Sequence, residues 1–193
     1  AQAASGMTIY FLDTGFHFPE TLIFRDQLAG RFGLYVETVT PAMGHTEFRL
    51  EYGDLYRRDP DMCCYINKVE PMRAVTARVG AWISGIRRDQ TEHRKSTPII
   101  SVQKNGAYKI CPLANWTQHD VWRYINRNDL PVHPLFHQGY LSVGCAPCTR
   151  SVGDGEDERA GRWAGVGKTE CGLHTLLAEG AAQRYIDQEA GAQ

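Results

Sequence analysis

Thr8-Ile9-Tyr10-Phe11-Leu12-Asp13-Thr14-Gly15 is the stretch that decides the fold. Five residues of β-branched, aromatic and aliphatic character read as a buried strand, and Asp-Thr-Gly reads as its exit into a loop. Pro19-Glu20 then opens a helix running to about Arg31, and Leu34–Val39 has the composition of a second strand. A strand, a loop, a helix and a strand in that order predict a parallel sheet with crossover helices, hence an α/β fold. Working outward, residues 46–57 and 68–79 have helical patterning, while Ala81–Ile86 and Tyr108–Leu113 are strand-like. Thr117-Gln118-His119-Asp120 resembles a capping box opening a helix over Val121–Asn126. Residues 129–144 are a Pro/Gly-rich loop, residues 151–169 read as a polar, Gly-rich mobile stretch, and Thr175–Gln188 has helical composition.

At 193 residues, 42% hydrophobic and 22% charged, the chain is long enough for one sizeable core. A net charge of −1 gives no global field to gather nucleic acid or an anionic membrane, so any anion must be met by local Arg and Lys. The longest apolar run is too short to span a bilayer, and no basic segment precedes an apolar one at the start. A cytoplasmic location is therefore expected, where thiols stay reduced and cysteines serve as ligands or catalysts.

Six cysteines are present. Cys63 and Cys64 are adjacent, Cys145 and Cys148 form a Cys-x-x-Cys pair, Cys171 stands in Glu170-Cys171-Gly172-Leu173-His174, and Cys111 is isolated. Thiolates select zinc, copper or iron–sulfur clusters. Neighbouring side chains on a helix diverge by about 100°, which suits a cluster of several irons better than one zinc. Cys63 and Cys64 are alternatively two small buried hydrophobes, and Cys145-x-x-Cys148 alone is alternatively a thiol redox pair or half a zinc site. Both pairs together favour a cubane cluster. Cys171 has Lys168 three residues before it and His174 three after, and positive neighbours raise the thiolate fraction of a thiol. Cys111, between a strand and Pro112, is expected in the core.

Ligands of open α/β sheets sit beyond the carboxyl ends of strands, which marks Asp13, Thr14 and Gly15 and the segment Ser84–Asp89 with Arg87 and Arg88. Ordinary turns are the alternative. Lys68 follows the first cysteine pair, and Arg159 and Arg162, three apart, are able to share a helical face and grip an oxyanion through forked hydrogen bonds. A solvated charged loop is the alternative there.

Longer motifs carry a family resemblance. Phe-Leu-Asp-Thr-Gly at 11–15, Cys-Cys-x-x-x-Lys-x-x-Pro at 63–71 and Trp-x-Ser-Gly-Ile-Arg-Arg-Asp-Gln at 82–90 appear in that order. Pro-Leu-Ala-Asn-Trp-Thr-x-x-Asp-Val-Trp-x-Tyr-Ile follows at 112–125, and Gly-Tyr-x-Ser-x-Gly-Cys-x-Pro-Cys-Thr-Arg at 139–150. Gly-Glu-Asp-Glu-Arg-Ala-Gly-Arg-Trp at 155–163 and Glu-Cys-Gly-Leu-His at 170–174 complete the set. With these the chain resembles the bacterial assimilatory adenylylsulfate (APS) reductases, within the phosphoadenylylsulfate (PAPS) reductase family. The resemblance implies an adenine-nucleotide α-hydrolase-like α/β fold. It implies a [4Fe–4S] cluster on Cys63, Cys64, Cys145 and Cys148, with Cys171 as nucleophile. Lys68, Arg159, Arg162 and His174 match residues that hold the sulfate and phosphate, and the Arg87-Arg88 loop matches another substrate-contacting segment. Family members open with a further strand and a Ser/Gly-rich phosphate loop. That first βα unit, on the order of 30 residues, is not seen ahead of residue 8, so the chain reads as an N-terminally incomplete copy.

The implied division is a nucleotide- and cluster-binding reductase domain over 1–169 and a C-terminal segment over 170–193 carrying the catalytic cysteine. The implied reaction is reduction of APS to sulfite and AMP through a cysteine S-sulfonate. Thioredoxin, as a separate protein, supplies the electrons, since no thioredoxin-like domain follows residue 175. Three other readings stay open: PAPS reductase, a cluster-dependent tRNA thiolase, which would want a basic face, and a non-catalytic iron–sulfur or zinc module. The oligomeric state is also open, a homo-oligomer among the options.

Overall fold

The computed structural model describes residues 6–173. They form two compact units, one made of residues up to Met72 together with those from His133 onward, the other of Arg73–Val132. Compactness thus divides the chain at other points than the functional division expected at residue 169.

In the first unit, β1 (Ile9–Leu12) pairs in parallel with β2 (Val36–Val39), Ile9 opposite Val36 and Leu12 opposite Val39. Between them runs α1 (Pro19–Phe32). Pro19 stands in its first turn, where a missing N–H costs nothing, and Gly33 ends it at φ 60 by donating its N–H to the Ala29 carbonyl. This is the expected β-loop-α-β start. Short helices follow as α2 (His45–Tyr52), α3 (Leu55–Arg58) and α4 (Pro60–Cys64). Tyr65–Val69 is a π-helical turn, after which α5 (Glu70–Ala77) resumes α geometry and crosses into the second unit. The expected 46–57 helix is therefore two helices, split at Gly53 (φ 58), and the expected 68–79 helix starts earlier, at Pro60, with the π turn inside it.

Phe48 and Val69, both fully enclosed, centre the core of this unit with Phe16, Leu55, Tyr65 and Ile66. Phe16 meets Phe48 edge-on at 5.9 Å and His45 at 4.5 Å. Cys63 and Cys145 belong to the same cluster. The stretch 151–169 is irregular but anchored: Arg150 and Glu156 form a bidentate pair at 2.7 and 2.8 Å, Trp163 N–H donates to the Cys148 carbonyl, and Trp163 is 4% exposed.

In the second unit, β3 (Ala81–Ile83), β5 (Tyr108–Ile110) and β4 (Ile100–Val102) lie in the order β3-β5-β4. β3 and β5 are parallel, as expected, while β4 is an antiparallel edge strand the sequence reading omitted. Both expected strands are shorter than read, ending at Ile83 and Ile110. Helix α6 (Gln118–Arg127) begins at the expected capping box, Thr117 Oγ1 accepting from Asp120 N–H at 3.2 Å and Asp120 Oδ2 accepting from Thr117 N–H at 3.0 Å. Cys111 is 1% exposed against Ile86 and Ala114, a core residue as expected. Among the described residues no helix is long and apolar enough to cross a membrane.

Candidate active site

The loop leaving β1 is built for close approach. Asp13 Oδ1 accepts from Gly15 N–H at 2.9 Å, and Gly15 adopts φ +71. A side chain there would press into His45, its Cβ 2.7 Å from the His45 Cβ, so only glycine fits. The turn buries Thr14 to 2% exposure and sets its Oγ1 3.4 Å from Cys145 Sγ. Ala146 N–H donates to the Phe16 carbonyl at 2.7 Å, which docks the Cys145-x-x-Cys148 turn on this loop. The candidate ligand loop thus supports one cysteine pair directly.

The other pair ends α4. Asp59 caps that helix, its Oδ1 accepting from Asp61 and Met62 N–H at 3.1 and 2.9 Å, with Pro60 in the first turn. The π turn that follows buries Tyr65, Ile66, Asn67, Lys68 and Val69 together. Single π-helical turns inside helices recur at functional sites. Here the turn brings the Asn67 amide to the Cys63 carbonyl at 3.0 Å and its sulfur at 3.8 Å, and directs Lys68 inward.

All four paired cysteines line one small pocket, with Thr14, Asn67 and Lys68 on its wall. Burial pushes the Cys63 thiol up to about 12, and the thiolates of Cys145 and Cys148 add to this. Cys148 is raised for the same reasons. Among the described residues, no group of three or more His, Cys, Asp or Glu has an arrangement that holds a metal ion. The donor set nonetheless fits a thiolate-bound centre: four thiols lining one pocket, the Asn67 amide donating to one sulfur, the Thr14 hydroxyl hydrogen-bonded to another, and a buried cation among them.

Cys171 joins this group. Its thiol is drawn well below the ordinary value, first by a hydrogen bond with Cys64 and then, against the cost of burial, by the positive charges of Lys68 and Lys168. Cys64 is raised in return. Burial disfavours the Lys68 ammonium, but the thiolates of Cys171, Cys145 and Cys64 outweigh it and hold the amine protonated. Lys168 pairs with Asp61 and lies 5.6 Å from the centroid of the Trp163 ring. His174, expected beside Cys171, and the expected helix Thr175–Gln188 lie outside the described residues.

Arg159 and Arg162 are not on a helical face, as their spacing suggested. They flank a turn closed by Arg162 N–H donating to the Arg159 carbonyl at 2.9 Å, and both reach one neighbouring segment. Arg159 Nη1 donates to Ser142 Oγ at 3.3 Å and Arg162 Nη1 to the Val143 carbonyl at 3.2 Å. The Arg162 guanidinium stacks 4.4 Å from the Trp163 ring centroid over Gly144, and its buried Nε has no acceptor among the described residues.

Arg87 and Arg88 belong to the second unit and are held there. Arg87 Nε donates to Asp89 Oδ1 at 2.8 Å, and Arg88 donates to the Thr97 carbonyl at 2.8 Å and to Asn115 Oδ1 at 2.5 Å. Sequence reading missed Asp61, Asn67 and Trp163. Asn67 was readable, four residues after Cys63 on a helical stretch; Asp61 carried no signal, its partner being 107 residues away.

Comparison with known proteins places this architecture. The phosphoadenosine phosphosulfate reductase domain matches residues 1–151. The chain is 48% identical over 176 residues to adenosine 5′-phosphosulfate reductase of Streptomyces coelicolor, covering 90% of this chain and 75% of that protein. It is 47% identical over 170 residues to phosphoadenosine 5′-phosphosulfate reductase of Gloeobacter violaceus, covering 86% and 70%. The crystal structure of PAPS reductase from Candida auris, a phosphate complex, superposes with a TM-score of 0.64 at 30% identity over 75% of this chain and 71% of that one. The fold is thus the expected α/β, adenine-nucleotide α-hydrolase-like one. The match spans most of the sequence and includes both cysteine pairs, and the chain belongs to the phosphoadenosine phosphosulfate reductase family.

Proposed function

We propose that the protein reduces adenylylsulfate to sulfite and AMP, with Cys171 as nucleophile and thioredoxin as electron donor. One feature carries the reading: the Cys171 thiol is drawn below its ordinary value by the neighbouring Cys64 and by the positive charges of Lys68 and Lys168, which favour its thiolate. The thiolate attacks the sulfuryl sulfur. A sulfur–sulfur bond forms as the sulfur–oxygen bond to the phosphate breaks, and AMP leaves with the electron pair. A dithiol of the donor then attacks Cys171 Sγ, sulfite departs, and the donor's second thiol closes its disulfide while Cys171 is released. Lys68, Arg159 and Arg162 offset charge on the sulfonate and phosphate oxygens. Asp13, Thr14, Gly15, Arg87, Arg88 and His174 are assigned to substrate binding by their place in the family's motifs.

Cys63, Cys64, Cys145 and Cys148 are the residues that would hold a [4Fe–4S] cluster. When bound, such a cluster supplies local charge and a rigid tie between the two cysteine segments. The Asn67 amide donates to the Cys63 sulfur, the Thr14 hydroxyl is hydrogen-bonded to that of Cys145, and Lys68 lies among them. We assign the catalytic role to the segment from residue 170 and the nucleotide and cluster roles to the rest. A cytoplasmic location, and no nucleic-acid or membrane partner, accord with the net charge of −1.

PAPS is the second substrate to weigh, because relatives of near-equal identity carry either name. Sulfite release with reduced thioredoxin, from APS and from PAPS in parallel, tests the assignment. Faster release from APS is expected. Release from PAPS alone would give the protein the other substrate, and release from neither would end the reductase reading.

A further inference from the structure

We propose that Asp61 is a positioning residue that acts through Lys168 to fix the segment carrying Cys171 against the helix carrying Cys63 and Cys64. The functional consequence rests on the reading of Cys171 as nucleophile; the structural claim does not. Asp61 stands in the first turn of α4, its own N–H held by the Asp59 cap at 3.1 Å, so its backbone is fixed two residues before Cys63. Its carboxylate is 58% exposed, yet the ammonium it pairs with belongs to a side chain only 5% exposed. A buried ammonium without a counter-ion is expensive, so Lys168 is held where Asp61 can reach it.

The position matters because of what surrounds Lys168. Its ammonium contacts the Asp61 carboxylate and lies 5.6 Å from the centroid of the Trp163 ring, and its charge lowers the thiols of Cys64, Cys148 and Cys171. Residues 164–170 have no strand or helix to set their course. Local bonds run along this stretch, Val166 N–H to the Trp163 carbonyl at 2.9 Å and Lys168 N–H to the Val166 carbonyl at 2.7 Å, and Arg159 Nη2 reaches the Thr169 carbonyl at 3.3 Å. The Asp61–Lys168 pair joins this irregular stretch to α4 across 107 residues of sequence. Cys171 follows three residues later. A charge pair at the base of the nucleophile's segment therefore sets where the nucleophile lies.

The test is a double-mutant cycle on the full chain: wild type, Asp61→Asn, Lys168→Gln and the double variant, with Asp61→Glu as the conservative control. Hydrogen exchange of amides 164–173 reads the tie itself. The rate of sulfonate transfer to Cys171 from APS, with APS affinity measured separately, reads its consequence. Asp61→Asn should speed exchange in 164–173 and slow transfer, each about ten-fold, the scale of one charged hydrogen bond. APS affinity should stay within about two-fold of wild type, and Asp61→Glu should restore most of both rates. Asp61→Asn made on top of Lys168→Gln should add nothing, since the partner is already gone. Unchanged exchange in Asp61→Asn, or effects of the two substitutions that simply add, would overturn the proposal. Absence of any adduct on Cys171 in the wild type would sink the nucleophile reading instead, and the exchange arm would still decide the tie.

Discussion

Gly144 offers a way to move the Arg162 guanidinium without altering the arginine. A Cβ at Gly144 would lie 2.9 Å from Arg162 Nη1 and closer still to Nη2 and Cζ. Side chain and guanidinium cannot share that space. What must yield is the end of a flexible chain, so the fold should survive Gly144→Ala while the guanidinium swings off its bond to the Val143 carbonyl and off the Trp163 ring. Losing that stacking costs about 0.5–1 kcal/mol of stability. Losing a charged hydrogen bond to the substrate's anionic end costs about 1.5–3 kcal/mol of binding, which is about 10- to 150-fold in Kd. The assay is calorimetric titration of APS and of adenosine into proteins also carrying Cys171→Ser, which blocks turnover. Gly144→Ala and Arg162→Ala should weaken APS binding to a similar extent and leave adenosine binding unchanged. APS affinity retained in both variants, or an equal loss for adenosine, would refute the placement of Arg162 at the anion.

With the proposed cluster the wild type should carry about four iron and four acid-labile sulfide per chain; serine at any one of Cys63, Cys64, Cys145 or Cys148 should strip them, whereas Cys111→Ser should leave them intact, as metal and sulfide analysis after anaerobic purification checks. Asn67→Leu keeps the volume but removes the donor to the Cys63 carbonyl and sulfur, and should make the iron more accessible to a chelator, read as the rate of loss of visible absorbance. Phe48→Ala opens a cavity in a fully enclosed site and should destabilise the fold by about 3–5 kcal/mol in urea unfolding. Glu156 is held down to about 2 by its hydrogen bonds with Arg150, then with Gly153 N–H, against an ordinary 4.5. A depressed folded value means the ionised form stabilises above pH 4.5 and that this is lost as pH falls toward 2, so the difference in urea midpoint between wild type and Glu156→Gln should vanish over that window.

Local signals in the sequence are legible. The strand, Pro-opened helix and second strand at the start, and the Thr117–Asp120 capping box, depend only on neighbours in the chain. The antiparallel β4 is equally legible: Asn105-Gly106, with Gly106 at φ +83, joins Ile100–Val102 to Tyr108–Ile110 as Asn-Gly joins hairpin strands. The π turn at Tyr65–Val69 has no sequence signature, since the same residues fit an α-helix; packing of the buried five selects it. The identities of the thiols were legible, but their convergence was not. Only the fold places Thr14 against Cys145 and Asp61 against Lys168, partners 131 and 107 residues apart. The spacing of Arg159 and Arg162 misled, because three residues apart share a face only on a helix, and here they flank a turn.

On the proposed mechanism, Cys171 takes the sulfonate. Incubation with APS in the absence of thioredoxin, followed by mass analysis of intact protein and peptides, tests it directly, because AMP departure needs only the thiolate while sulfite release needs an outside thiol. The expected result is the mass of one SO₃ group on the peptide containing Cys171, removed with release of sulfite when reduced thioredoxin is added, and never formed in Cys171→Ser although that variant binds APS. The adduct on Cys145 or Cys148, or sulfite formed by the Cys171→Ser protein, would contradict the account.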